Sequence, residues 1–248
     1  MLYVIGNIVL LSKTNTTMNE IIEFLRKFTD GKPMVLAVSG GIDSALVYKL
    51  ASALDVTRLH AYFMPDGNTP RQDYQDIAKL SENGPAIEVV NISRLTESFS
   101  STLGVKDVKL LGNIKARIRM TALYYYSNLL GGIVLGTTNL SEYLTGYFTK
   151  FGDGACDIEP IMHLFKSDVR RLAAQCGVPE SILARPPSAG LWENQTDEKE
   201  LGIKYEELDV ELGKILSGIE TDNRVVEKLY RDSWHKRKAP ENLLRGKT

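Results

Sequence analysis

The chain is poor in cysteine: Cys156 and Cys176 are the only two in 248 residues. Two thiols cannot make a disulfide scaffold, and nothing else in the sequence suggests export, so a reduced, cytoplasmic protein is predicted. Long apolar runs are also missing, and none approaches the ~20 residues that a membrane-spanning helix needs. The nearest candidate, MLYVIGNIVLL at the N-terminus, has no basic residue before it and no small-residue cleavage site after it. That argues against a signal peptide. Neither sign of charge is in excess: 30 Lys and Arg meet 31 Asp and Glu, for a net charge of -1. This balance excludes a strongly basic nucleic-acid coat and an acidic tail. Internal repeats and low-complexity segments are absent. With 43% hydrophobic and 25% charged residues, the composition is that of an ordinary globular protein with a sizeable core.

What is present is alternation. Residues 1–17 read as an N-terminal extension, either a short extra strand or a tail; translation from Met18 is a further reading. Residues 18–248 read as one domain. Ile21, Ile22, Leu25 and Phe28 recur at helical spacing, and Gly31-Lys32-Pro33 breaks the pattern. Short apolar runs at 34–38, 59–64, 86–90 and 133–136 read as strands. Helical patterns fill the intervals, including a long one marked by Ile114, Ile118, Ala122, Tyr125 and Leu129. Strands separated by helices imply parallel pairing with right-handed crossovers, and fully apolar strands imply burial on both faces. A doubly wound α/β sandwich is predicted. Beyond residue 160 strand signals vanish; a helix at 166–176, an irregular stretch at 184–202 and helical patterns from 205 to about 234 read as a helical cap.

The most informative segment is VLAVSGGIDSALVYKL, an apolar strand that runs through Ser39-Gly40-Gly41-Ile42-Asp43-Ser44 straight into a helix. A helix N-terminus exposes unpaired N–H groups that bind anions, and glycines let the backbone approach phosphate oxygens closely. Ser39 and Ser44 add hydroxyls. Asp43 is out of place in an anion site unless a cation stands between it and phosphate, as Mg²⁺ does. The bland alternative is a capped strand-to-helix turn. The terminal Gly246-Lys247-Thr248 looks like the end of a Walker loop, but Glu241 stands where its first glycine belongs. SGGIDS in this setting resembles the pyrophosphate loop of the N-type ATP pyrophosphatases, which adenylate a carboxylate or carbonyl oxygen.

A second glycine-rich segment follows the fourth strand: GGIVLGTTNLSEYLTGYFTKFGDGACDIEP. In a doubly wound sheet, ligands sit at strand carboxyl ends where the order reverses. Glu142 can therefore share a metal with Asp43 if the two strands are neighbours; alone, it is a solvated residue of a first helical turn. This segment is similar to the ammonia-dependent NAD synthetases. The resemblance rests on Gly136-Thr137, Glu142, the run from Thr145 to Gly154, Asp157, NIKARIRM at 113–120, Lys166, PPSAGLW, QTDEKELGIKYEELD and His235-Lys236-Arg237. It runs from about residue 19 to 240.

The resemblance implies an adenine nucleotide alpha hydrolase-like fold and a homodimer. It implies conversion of deamido-NAD, ATP and ammonia to NAD, AMP and pyrophosphate, with Mg²⁺ on Asp43 and Glu142. ATP would meet Ala37, Val38, Ser39, Gly40, Gly41, Ile42, Asp43, Ser44, Thr137, Lys166 and Ser188. Deamido-NAD would meet Arg117, Lys150, Asp157, His235 and Lys236, with Tyr147 or Phe148 near the nicotinate ring. Asp153 would lie near ammonia; Asp153 or Asp157 could take a proton from ammonium. Asp43, Lys166 and Asp153 would carry the chemistry.

Two departures stand out. Family members often carry Asp-His after Gly-Thr, where this chain has Thr138-Asn139. A basic residue expected near adenine is missing from 62–65, and whether Arg71 substitutes for it is left open by the sequence. No glutaminase region is present, so ammonia would arrive free or from a partner. Lys166 opens a helix, where a cation is unfavourable without a compensating anion; a polyphosphate would supply one. Arg117 and Arg119 lie roughly 200° apart on a helix and cannot serve one face. The competing readings are another adenylating ATP pyrophosphatase, GMP synthetase-like or tRNA-modifying, and a non-catalytic nucleotide sensor. A net charge of -1 does not advertise a tRNA face, and keeping both Asp43 and Glu142 argues against a sensor.

Overall fold

The structure, a computed structural model, describes residues 2–5, 8–11, 16–188, 190, 192 and 195–240, the first two segments as backbone only. The terminal Gly246-Lys247-Thr248 lies outside the described residues, as do residues 12–15 of the extension and 189, 191, 193 and 194 of the irregular stretch. The extension contains two strands, β1 (Leu2–Ile5) and β2 (Ile8–Leu11), paired antiparallel.

Helix α1 (Met18–Thr29) starts at a capping box in which Thr17 and Glu20 satisfy each other's backbone N–H. It buries Ile21 and Leu25 and ends where Asp30 turns left-handed. The central strand β3 (Met34–Ala37) leads into α2 (Ile42–Leu54), then β4 (Leu59–Phe63), α3 (Arg71–Ser81) and β5 (Ile87–Val89). Two helices follow, α4 (Ser93–Leu103) and the long α5 (Val108–Leu130), before β6 (Ile133–Leu135) and α6 (Leu140–Thr145). The remainder is helical: α7 (Lys166–Gln175), α8 (Glu180–Leu183), α9 (Asp197–Leu201), α10 (Tyr205–Leu216), α11 (Arg224–Asp232) and α12 (Trp234–Arg237).

The main sheet is parallel, in the order β5-β4-β3-β6. Chain order therefore reverses between β3 and β6, which hydrogen-bond directly from Met34↔Ile133 to Leu36↔Leu135. The pleat sends alternate side chains to opposite faces. Met34 and Leu36 join α1, α2, α7 and α8 in one core, while Val35 and Val134 join Ile118 and Leu123 of α5 in the other. A third cluster, built from Leu140, Leu144, Leu201, Tyr205, Leu208, Leu212 and Val226, binds α6 to the C-terminal helices. This is the expected doubly wound sheet with its helical cap.

One expectation needs correction. Edge strand β5 is not buried on both faces, since Glu88 and Val89 are exposed. Helix α4 adds an element that the sequence reading did not single out; it buries only Thr96 and leaves Leu95, Phe99 and Leu103 exposed.

A buried ion pair fastens α5 over the end of β4. Lys115 Nζ lies 2.6 Å from Asp66 Oδ2, both side chains being at most 6% exposed. Burial opposes ionisation of Asp66, but the Lys115 and Asn68 hydrogen bonds and the Lys115 charge outweigh it and hold the carboxyl below its ordinary range. A depressed carboxylate stabilises the fold above its unfolded pKa and loses that contribution as pH falls through the folded value. Lys115→Met, which strands the buried carboxylate, is expected to cost ~3–5 kcal/mol in a urea titration at pH 7. The deficit should shrink below about pH 4, where Asp66 is protonated in the unfolded chain.

Candidate active site

The site begins at the switch point between β3 and β6. The chain leaves β3 at Ala37, and Val38 still donates to Tyr62 O at 2.8 Å. Gly40 takes φ +87°, a conformation suited to glycine. Gly41 caps α2 without a side chain, so the first N–H groups of the helix have no side-chain partner. Ser44 faces inward and is 3% exposed. Its Oγ accepts from Ser39 N at 3.1 Å and donates to Gly41 O at 3.0 Å, while Ser39 Oγ accepts from Gly41 N at 3.2 Å. The two hydroxyls expected to face phosphate thus pin the turn internally. Val38 and Ile42 are buried, so these two can offer a ligand only their backbone.

Asp43, at the second position of α2, projects toward α6. There, Asn139 caps the helix, and Glu142 closes a capping box with it. Asn139 Nδ2 also donates to Asp43 Oδ1 at 2.8 Å. Lys166, at the start of α7, places its ammonium 2.6 Å from Asp43 Oδ2 and 3.1 Å from Glu142 Oε1. Its side chain is 2% exposed, so it is not a solvated surface lysine. The compensating anion expected near it is already supplied by the protein. Lys166 N donates to Ser141 Oγ at 3.0 Å, and Ser141 donates to the buried Asp209, which also accepts from Ser167 N at 3.0 Å. Beneath the ammonium lies the Tyr205 ring, with its centroid 5.2 Å away. The Tyr205 hydroxyl donates to Asp197 at 3.1 Å.

The electrostatics follow from this packing. Burial drives the Glu142 carboxyl up to about 8, with the Lys166 charge opposing and Asp43 adding to the rise. Burial would lower Lys166, but Asp43 and Glu142 outweigh it and hold the ammonium above the usual lysine range. Two carboxyl groups share one cation, and burial keeps Glu142 toward its neutral form until a further cation arrives. Among the described residues no group of three or more His, Cys, Asp and Glu side chains converges as a metal cage. Two convergent carboxylates instead fit a cation of the Mg²⁺ type, which takes its remaining ligands from phosphate and water.

The comparisons bear directly on this arrangement. A family model described as NAD synthase matches residues 15–240. The chain belongs to the NAD synthase family. It is 49% identical over 241 residues to an NH(3)-dependent NAD(+) synthetase of Picrophilus torridus, spanning 95% of this chain and 97% of that one. A Thermoplasma volcanium protein of the same description is 44% identical, spanning 89% and 94%. Among solved structures, NMN synthetase from Francisella tularensis superposes with a TM-score of 0.81 at 36% identity, covering 92% of this chain and 99% of that one. NH3-dependent NAD synthetase from Campylobacter jejuni, in complex with nitrate, gives 0.78 at 28%, covering 91% and 97%. NAD synthases are ligases that form a C–N bond, and the family match over residues 15–240 sets aside the other adenylating pyrophosphatases and the sensor reading.

Of the residues expected to meet the dinucleotide of an NAD synthase, Arg117, Lys150, His235 and Lys236 form a second group around the end of α6. Arg117 is exposed and donates to Lys150 O at 3.2 Å. Lys150 Nζ donates to His235 O at 2.9 Å. Lys236 Nζ is held by the carbonyls of Gly146 and Phe148, both at 2.7 Å, and sits 5.3 Å from the Phe148 ring centroid. Neighbouring Arg237 donates to Leu144 O and Ser233 Oγ. In this structure, then, Lys236 and Arg237 clamp the end of α6. Gly146 (φ +66°) completes the clamp: an added Cβ would lie 2.3 Å from Ser233 Cβ. Gly146→Ala is expected to cost ~2 kcal/mol or more from left-handed strain plus overpacking, read as a lowered urea midpoint.

Tyr147 and Phe148 diverge. Tyr147 OH donates to Glu200 at 2.7 Å, whereas Phe148 lies parallel to Tyr143 with centroids 6.4 Å apart. Asp157 is spoken for on both oxygens, by Val134 N at 2.8 Å and Tyr124 OH at 3.2 Å. Asp153 accepts from Thr149 N at 2.9 Å. Thr137 is half-buried at the end of β6. Ser188 Oγ accepts from Gly190 N at 3.1 Å.

Three groups escaped the sequence reading. Asn139 orients Asp43, and its only signal was its departure from the usual Asp-His. Arg119 reaches from α5 to donate to Met64 O at 2.9 Å; with Lys115 it brings basic residues to the end of β4, where 62–65 supplies none. Tyr205 and Asp197 underpin Lys166 from the cap, some 30 to 40 residues further along the chain.

Proposed function

We propose that this chain forms NAD from deamido-NAD, ATP and ammonia, releasing AMP and pyrophosphate. The observation that carries the reading is the meeting of Asp43, Glu142 and Lys166 beside the glycine turn. In the first step a nicotinate carboxylate oxygen attacks the α-phosphorus of ATP and pyrophosphate leaves. In the second, ammonia attacks the acyl carbon of the resulting adenylate and AMP leaves. The N–H groups at the start of α2 receive the polyphosphate. Lys166 shifts its charge from the carboxylates toward phosphate as ATP arrives, and Asp43 and Glu142 are then free to hold Mg²⁺. Bound Mg²⁺ supplies neutralisation of phosphate charge, the main requirement of such transfers. Asp153 takes up the proton of ammonium, and the Arg117, Lys150 and His235 group takes the dinucleotide.

The proposed assembly is a cytoplasmic homodimer. Exposed Leu95, Phe99 and Leu103 on α4, with Leu110, Tyr125 and Leu129 on α5, support pairing through these helices. Both cysteines are free thiols, which suits a reducing compartment. Among the described residues no helix is long and apolar enough to cross a membrane.

The likeness to NMN synthetase favours a second acceptor, the deamido form of NMN. One assay decides: protein, ATP, Mg²⁺ and ammonium are mixed with either acceptor. The expected result is NAD and AMP in equal amounts from deamido-NAD, in preference to the mononucleotide. ADP, or AMP formed only with tRNA or xanthosine monophosphate, would overturn the assignment.

A further inference from the structure

The irregular stretch after α8 is tied to the glycine turn by a cluster of ions outside the site already described. Arg185 follows α8 and precedes Pro186-Pro187-Ser188. Its Nη1 lies 2.7 Å from Asp73 Oδ1 and 3.0 Å from Asp76 Oδ2, both carried by α3. Asp76 is fully buried, with its other oxygen accepting from Gln72 Nε2 at 2.9 Å. Asp73 is 10% exposed and lies beside Gly40, near enough that an added Cβ there would sit 3.6 Å from Asp73 Cβ. On the far side, Asp197 N donates to Pro187 O at 3.0 Å, and the Asp197 carboxylate accepts from Tyr205 beneath Lys166.

We infer that Arg185, bridging Asp73 and Asp76, is a positioning residue that sets the glycine turn and Pro187-Ser188 at the spacing ATP requires. A solvent-exposed pair would contribute little, but here both acceptors are buried, and Asp73 flanks the turn at Gly40. Burial opposes ionisation of Asp76, yet its hydrogen bonds and the Arg185 charge outweigh that and keep the carboxyl below its ordinary range. Asp76 is therefore ionised at neutral pH. Arg185 does not touch the reacting atoms; it acts through Gly40 and through Pro187, whose carbonyl also anchors α9. The inference rests on the proposed ATP site.

The test compares Arg185→Gln, Arg185→Lys and Asp73→Asn by ATP·Mg²⁺ affinity in calorimetry, by the separate KM values for ATP, deamido-NAD and ammonium, and by thermal midpoint. Arg185→Gln is expected to weaken ATP about tenfold, leaving kcat and the other two KM values within about twofold. Arg185→Lys should recover part of the loss. Asp73→Asn should reproduce it in the native background and add little in the Arg185→Gln background, because the two residues share one contact. Should Arg185→Gln fail to fold, the Asp73→Asn and Arg185→Lys arms decide. Unchanged ATP affinity in folded variants would overturn the inference, as would equal losses for all substrates alongside a lowered midpoint. If the native protein binds ATP but makes no NAD, the functional assignment fails while the affinity measurement still decides the role of Arg185.

Discussion

Lys166→Met is expected to lower NAD formation by about a thousandfold or more, the scale set by losing a buried charge aimed at a developing transition-state charge. The loss should fall on kcat as well as on ATP binding, because Lys166 is a preorganised cation at the junction of both carboxylates. The same variant makes a sharper prediction about stability. Removing one partner from a buried ion cluster ordinarily costs ~3–5 kcal/mol. Here the cost is relieved by protonation, since burial already raises the Glu142 carboxyl to about 8 and loss of the ammonium raises it further. A raised carboxyl stabilises the fold when protonated, and that stability is lost as pH rises through the folded pKa. The variant should therefore lie close to the native protein in urea midpoint near pH 6 and fall well below it near pH 9. Equal midpoint differences at both values would mean that Glu142 does not take the proton.

Asp43→Ala carries the second large effect. Asp43 sits in the first turn of α2, accepts from Asn139 and pairs with Lys166. Truncation leaves the Lys166 ammonium, 2% exposed, with Glu142 as its remaining carboxyl partner, so the fold should survive with a thermal midpoint lowered by several degrees. Turnover should drop below detection, on the order of a thousandfold or more, and no added Mg²⁺ should restore it. Asn139→Ala should give a milder version, ~1 kcal/mol of lost positioning, because it orients Asp43 without replacing it. Unchanged turnover in Asp43→Ala would remove that residue from the metal site.

Much of this was legible in the sequence, for identifiable reasons. The strands at 34–37 and 59–63 announced themselves because a central parallel strand must be apolar on both faces, and the edge strand at 133–135 did so because Val134 and Leu135 are buried in opposite cores. The edge strand at 87–89 is half polar, and helix α4 buries a single threonine, so neither carried a full burial signal. The glycine turn was readable because a strand, a glycine pair and a helix start are contiguous there. Its serines were not: whether a hydroxyl faces phosphate or the turn's own carbonyl depends on a rotamer. Pairing Asp43 with Glu142 needed only the rule that ligands gather where strand order reverses, and the β3–β6 pairing fulfils it. Lys166 between them required tertiary information, since its partners lie 123 and 24 residues away along the chain. The resemblance implied a dinucleotide contact for Lys236; the structure shows its ammonium held by the Gly146 and Phe148 carbonyls, a role visible only once α12 is seen beside the end of α6.

The most direct test is a crystal grown with a non-hydrolysable ATP analogue and Mn²⁺ in place of Mg²⁺, with the metal located by its anomalous scattering. The account predicts a metal peak ligated by carboxylate oxygens of both Asp43 and Glu142, with triphosphate on the turn at Ser39–Ser44 and the Lys166 ammonium shifted onto phosphate. A nucleotide bound away from that turn, or a metal touching neither carboxylate while Lys166 keeps both, would contradict it.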